Sequence, residues 1–103
     1  MTRMWMQPPQ TMCRKHLLGE HVECHMVKGS LDRWRSVAGH IAKGQLEPQN
    51  LQARHDELAR EMVRRGYRHN SPLVHSGGPV GHVDVDKSRR DLLSRCAECR
   101  GME

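Results

Sequence analysis

An all-α fold is predicted, a compact single-domain bundle of about three main helices with irregular connecting loops. Three observations carry it. Three stretches of the chain place apolar or functional side chains at three- and four-residue spacing. Each stretch is bounded by residues that cap or break helices. A chain of 103 residues makes one domain at most, with a modest core.

Residues 1–9 read as a short extended N-terminal arm, ended by Pro8-Pro9. Gln10 or Thr11 then caps a first helix reaching to about Lys28, where Gly29 stops it. Leu18, Val22 and Met26 recur every four residues and read as its buried stripe, while Cys13, His16, Glu20, Glu23 and Val27 share a different face. From Ser30 to about Pro48, a stretch with Trp34, Gly39-His40 and Gly44, the expectation is a short helix plus loop. The clearest amphipathic helix runs from Gln49 to Arg65 on Leu51, His55, Leu58 and Met62. Gly66 ends it, and Arg64 and Arg65 lie in the last turn, where cations favour the helix dipole. Residues 69–83 hold two Pro and three Gly without a period, an irregular loop. A last helix starts near Asp84 or Asp86, buries Leu92 and Leu93, and carries Cys96-Ala-Glu-Cys99 at its end.

Only 36 % of the residues are apolar and Phe is absent, so the core falls to Leu, Val, Ile and seven adaptable Met, with Trp5, Trp34 and Tyr67 the sole aromatics. Lys and Arg number 17 against 12 Asp and Glu, and the sequence pI is about 9.4. Thirteen of the cations are Arg, whose planar fork suits phosphate oxygens. Arg3, Arg14-Lys15 and Arg64-Arg65-x-Arg68 are clustered, which favours nucleic acid over a merely solvated basic surface. No apolar run approaches the ~20 residues that cross a bilayer, and no h-region follows Arg3, so no membrane and a cytoplasmic, nucleoid-associated location are expected.

Thr2 follows the initiator Met. Removal of Met1 would leave its α-amine, with an ordinary pKa of ~7.7 to 8.0, as a nucleophile at neutral pH. Near pH 7.4 about a third of such an amine is unprotonated, roughly 300 times the fraction for an ordinary lysine.

Thr2-Arg3, then His16-Leu17-x-x-Glu20-x-x-Glu23, Gly29, Gly39-His40, and Leu51-Gln-Ala-Arg-His-Asp-Glu-Leu58 running to Arg64-Arg65-Gly66-Tyr67 resemble the pyrimidine-dimer DNA glycosylase family of the phage endonuclease V type, over about two thirds of the chain. The resemblance implies a small, mainly helical monomer acting on damaged double-stranded DNA. It implies an AP lyase chemistry in which the amine of the second residue attacks the sugar C1′, the base leaves, and the Schiff base makes the 2′ proton acidic enough for β-elimination. By position Thr2 and Glu23 take the catalytic roles, Glu23 as acid/base. Arg3, His16, Glu20, His40, Arg64, Arg65 and Arg68 are the candidate DNA contacts, with His16 and Glu20 serving either to hold Glu23 in register, to touch phosphate, or simply as a hydrogen-bonded pair. No cofactor is needed for this catalysis. The phage member has cations just before and three residues after the glutamate; Val22 and Met26 stand there in this chain, and its aromatic C-terminal tail is replaced by the cysteine-bearing end. The alternative is therefore a non-catalytic, zinc-clipped basic module of the same fold that binds nucleic acid.

Cys13-x-x-His16 and Cys96-x-x-Cys99 each offer two ligands at a spacing that suits tetrahedral zinc, which would clip the last helix to the first. Cys24 and His25 could substitute. A Cys13–Cys96 disulfide or thiol contact, and buried inert thiols, are the other readings. His40, His55, His69, His75 and His82 read as scattered structural or surface groups, and no Walker loop, His-Glu-x-x-His or nucleophile elbow occurs.

Overall fold

The computed structural model describes residues 3–102 and is all-α, as expected, with no strand among those residues. A single 3-10 turn at Pro9–Thr11 precedes α1 (Arg14–Asp32); α2 (Ala38–Ala42) and a second 3-10 turn (Pro48–Asn50) lead into α3 (Leu51–Arg64); α4 (Val85–Arg95) and α5 (Ala97–Arg100) close the chain. The long helices α1 and α3 pack on each other through the centre of the core with Leu17, Val27, Leu51 and Leu58, and the N-terminal arm, the connecting segments and the C-terminal helices fill the rest with Met4, Met12, Leu46, Leu73 and Leu92.

α1 departs from expectation at both ends and on its buried face. It begins only after Cys13, because the backbone at Cys13 is extended and Pro9–Thr11 forms its own turn. It runs through Gly29, which costs a helix interior about 1 kcal/mol without forbidding it. The Lys28–Asp32 ion pair, 2.7 Å and one turn apart, adds to that last segment, and Trp34, at φ +58, turns the chain away. The buried residues are Leu17, Glu20, His21, Cys24 and Val27. Leu18 is only half-buried, while Val22 and Met26 are 55 % and 51 % exposed, so the apolar stripe expected to face the core faces solvent. The rotation follows from partners on α3: Arg54 receives Glu20, and His55 receives His21.

α3 is as expected, burying Leu51, His55, Leu58 and Met62 and ending at Gly66, whose φ of +85 is the left-handed cap that glycine adopts without strain. Residues 69–83 form neither helix nor strand. Within them Gly81 is dictated by space, since a Cβ there would lie 2.2 Å from the Leu46 carbonyl oxygen. Asp84 caps α4, its carboxylate accepting from the amides of Asp86 and Lys87, each at 3.1 Å. Leu92 is buried and Leu93 half-buried. An extended backbone at Cys96 breaks the last helix in two and makes Cys96 the cap of α5, accepting from the Cys99 amide at 3.4 Å, so this cysteine does not simply end a helix.

The N-terminal arm lies inside the fold. The Met4 amide donates to the Gln45 carbonyl at 2.8 Å, Met4 is fully buried, and Ser88 of α4 donates to the Trp5 carbonyl at 2.7 Å. Gln7 adds a 2.8 Å bond to the Val85 carbonyl. These contacts fix the path of Arg3 across α1, and with it the site below.

Candidate functional site

Three groups of chemistry-bearing residues converge on α1. The first is Glu23, whose Oε2 accepts a 3.1 Å hydrogen bond from the Arg3 amide. Burial pushes the Glu23 carboxyl up to about 7, the Arg3 amide works against that, and the Glu20 carboxylate reinforces it. A carboxyl poised there holds and releases a proton near neutrality, which is what a general acid/base requires. Thr2, the expected nucleophile, lies outside the described residues.

Glu20 is not available to DNA. It is buried and meets Arg54 with both oxygens, at 2.6 Å to Nε and 2.9 Å to Nη2, in a two-pronged pair that also ties Arg54 to the Gln7 carbonyl and to Glu57. At 1 % exposure it has no surface to offer a phosphate, and its hydrogen bonds go to Arg54, not to the His16 ring. Its influence on Glu23 is electrostatic.

The expected DNA contacts divide likewise. Arg3 has a buried side chain, stacked 3.9 Å above Trp5 and paired with Asp91 at 3.2 Å, so it braces the arm instead of reaching out. Arg65 is a staple: it pairs with Glu61 at 2.6 Å and donates to the carbonyls of Pro9 and Met12. Arg64 shares Glu61 but stays exposed, as does Arg68. Glu61 between these arginines is held down at about 2, first by the hydrogen bond from Arg64 and then, against its burial, by Arg65. Arg14 sits 5.2 Å over Tyr67, which brings the start of α1 beside the end of α3 and gathers Arg14, Lys15, Arg64 and Arg68 at one exposed basic end. His40 is half-buried, with Nδ1 3.3 Å from Gln45 Oε1. Beside the arm, a cleft of about 430 Å³ is lined by Arg3, Lys43, His82, Lys87, Asp91 and Arg95 among others.

The second group joins Cys13, His16, Cys96 and Cys99. One ligand atom from each lies within 4.8 Å of all the others. Cys13 Sγ is 3.3 Å from His16 Nδ1 and 3.7 Å from Cys96 Sγ, and Cys99 Sγ is 3.7 Å from His16 Nδ1. A tetrahedron with zinc's ordinary bond lengths has sulfur–sulfur edges of about 3.8 Å and sulfur–nitrogen edges of about 3.6 Å. The four residues fit, and can hold a metal such as zinc. The Cys13 amide points at Cys99 Sγ and the Cys99 amide at Cys96 Sγ, both at 3.4 Å, donors that favour a ligating sulfur. At 3.7 Å the Cys13 and Cys96 sulfurs are a contact of free thiols, and all four cysteines are free. Cys24 is buried apart, its thiol pushed up to about 12 by burial, and does not join them. His16 also lies edge-on to Trp5 with ring centres 5.8 Å apart, so it faces the thiols and the arm, not the solvent side of the helix.

The third group was not visible in the sequence as a unit. His21, His55 and His69 bring one ring nitrogen each within 4.8 Å of one another, with His25 edge-on to His21 and His55. Burial and the neighbouring imidazoles lower His21 to about 4. The spacing of His21 and His25, one turn apart, and the place of His55 on the buried face of α3 were the only local signals; His69 comes from beyond the helix.

Fold and site together define a small helical protein with a basic end, a carboxyl raised towards neutrality beside its N-terminal arm, and a Cys3His cluster between α1 and α5 that could hold a metal. The family model for pyrimidine dimer DNA glycosylase matches residues 1–74, and the chain belongs to that family. The matched span holds Glu23 and the Glu20–Arg54 pair, and ends before α4 and the Cys96–Cys99 pair. No curated protein and no solved structure matches the chain.

Proposed function

We propose that the protein is a DNA glycosylase and AP lyase that excises a damaged base through a Schiff base from the Thr2 α-amine, with Glu23 as acid/base. The observation that carries the reading is the hydrogen bond from the Arg3 amide to Glu23: the residue that follows Thr2 in the chain touches a carboxyl that titrates near 7. In that role Glu23 in its charged form stabilises the positive charge that develops on the sugar as the base leaves, and then accepts the 2′ proton in β-elimination. The Glu20–Arg54 pair acts as a positioning element, since it locks the helix turn before Glu23 and raises its proton affinity through Glu20. Phosphate contacts fall to the exposed cations Arg14, Lys15, Arg64 and Arg68, with His40 and the cleft cations Lys43, Lys87 and Arg95 as further candidates. Zinc held by Cys13, His16, Cys96 and Cys99 would tie the C-terminal end to α1, and no step of this chemistry needs it.

One observation favours the rival reading of a non-catalytic binding module. Val22 and Met26 are exposed on either side of Glu23, so apolar surface stands where the phage member carries cations. Borohydride trapping on a duplex with a single abasic site, beside an ultraviolet-irradiated duplex, separates the two. A covalent adduct that disappears when the N-terminal amine is blocked is the expected result; the absence of any adduct on either DNA with Met1-free protein overturns the proposal.

A further inference from the structure

We infer that His21, His55 and His69 form a second metal site, which takes a zinc-like divalent ion through three imidazoles and leaves one coordination position for an oxygen ligand. The inference is independent of the amine chemistry and of the cysteine pocket. Its first support is geometric. His55 Nε2 and His69 Nε2 are 3.4 Å apart, and the nitrogen–nitrogen edge of a tetrahedral zinc site is about 3.3 Å. The ring centres of His21, His55 and His69 are 4.7, 4.9 and 5.2 Å apart, against about 5 Å for imidazoles pointing at one ion from three corners of a tetrahedron.

The second support is the state of the polar atoms. His21 is 6 % exposed and His55 1 %, yet His21 Nε2 is buried without a hydrogen-bond partner. An orphaned buried ring nitrogen costs on the order of 1–3 kcal/mol, which a metal ligand avoids. His55 shows the same imbalance. Its Nδ1 lies 2.9 Å from Asp56 Oδ1, its Nε2 lies 2.9 Å from the Ser71 carbonyl oxygen, and both neighbours are acceptors. For this ring to donate to both it needs a proton on each nitrogen, a cation packed against three other imidazoles; the neutral ring can accept from His69 Nε2 at 3.4 Å but then sets its Nε2 lone pair against the Ser71 oxygen. A metal ion resolves this differently. Asp56 accepts the Nδ1 proton and fixes the tautomer, as carboxylates do behind ligating histidines, and the Nε2 lone pair is free for the ion, with the Ser71 oxygen drawn towards the same positive charge. Imidazole ligands of this kind suit zinc, cobalt, nickel or copper, not magnesium or calcium.

His25 lies against the group, with ring centres 5.1 Å from His21 and 4.9 Å from His55, but its nitrogens do not reach all three of the others. Three ligands and an open position are the arrangement that lets a bound ion engage water or a phosphate oxygen.

The test is metal content of the full chain after zinc loading and removal of free ion. Wild type should hold two zinc ions, His69→Ala one, and the double variant Cys96→Ser/Cys99→Ser one. Cobalt distinguishes the two remaining ions: His69→Ala should keep the near-ultraviolet sulfur-to-cobalt band, and the double cysteine variant should lose it while keeping weaker visible absorption. His69 is the partly exposed member on a loop, so its replacement spares the helices. Unchanged zinc content in folded His69→Ala overturns the inference. Should either variant fail to fold, X-ray absorption at the zinc edge of loaded wild type decides. More nitrogen than sulfur around the average zinc supports the site, and a three-sulfur, one-nitrogen shell alone refutes it.

Discussion

Replacing Glu23 with Gln separates what this residue does for stability from what it does for chemistry. The side chain is partly buried and accepts from the Arg3 amide at 3.1 Å; an amide oxygen of Gln preserves that bond and removes the charge. Burial raises the carboxyl from 4.5 to about 7. Because the folded pKa lies above the unfolded one, the carboxyl's contribution to stability is fully present below pH 4.5 and is lost as pH rises through 7. The full swing is on the order of 3 kcal/mol. Glu23→Gln therefore stays within about 1 kcal/mol of wild type at pH 5, and at pH 8.5 exceeds it by about 1 to 3 kcal/mol, several degrees in Tm for a domain of this size. Urea unfolding at both pH values measures the difference, and trapping on abasic DNA should fall by at least about 100-fold in the same variant. A stability difference that is the same at pH 5 and pH 8.5 would refute the reasoning, since Glu23 would then titrate as an ordinary surface carboxyl.

Three further outcomes follow from the geometry. Glu20→Ala leaves the Arg54 guanidinium buried without its two-pronged partner and should cost about 3 to 5 kcal/mol in chemical denaturation; a loss below about 1 kcal/mol would mean that water reaches Arg54. In zinc-loaded protein the thiols of Cys13, Cys96 and Cys99 should resist a thiol reagent until a chelator is added and then react together, whereas Cys24, apart from them, should not change its rate at that step. Val22→Arg restores a cation on the exposed face beside Glu23 at no cost in buried area, so it should tighten DNA binding and steepen its salt dependence by about one phosphate contact; an unchanged slope would place DNA on another face.

α3 could be read from the sequence because everything that defines it is local: the Leu51, His55, Leu58, Met62 period and the glycine that ends it. The cysteine pocket was legible for a related reason, as both halves announce themselves by a three-residue spacing and only their meeting is long-range. The buried face of α1 was misjudged by about one residue. Its apolar pattern pointed to Val22 and Met26, but the deciding residues are polar, Glu20 and His21, and what makes their burial affordable is Arg54 and His55, more than thirty positions away. Arg65 illustrates the same limit. A cation in a last helical turn is ordinarily a surface charge, and only the fold reveals that the carbonyls of Pro9 and Met12 turn it into a strut. The four histidines come from two helices and a loop, so no window of sequence contains them.

The contact between Cys13 and Cys96 spans 83 residues of chain. An ion gripping both ends closes a ring around nearly the whole molecule, and the unfolded chain, if it kept the ion, would forfeit the conformations such a ring forbids. For a covalent link of that length the entropic effect is about 4 to 5 kcal/mol, comparable with the entire stability of many domains this small. Losing such an ion would loosen α5 from the start of α1, while α4 stays held to the N-terminal arm through Ser88 on the Trp5 carbonyl and Asp91 on Arg3.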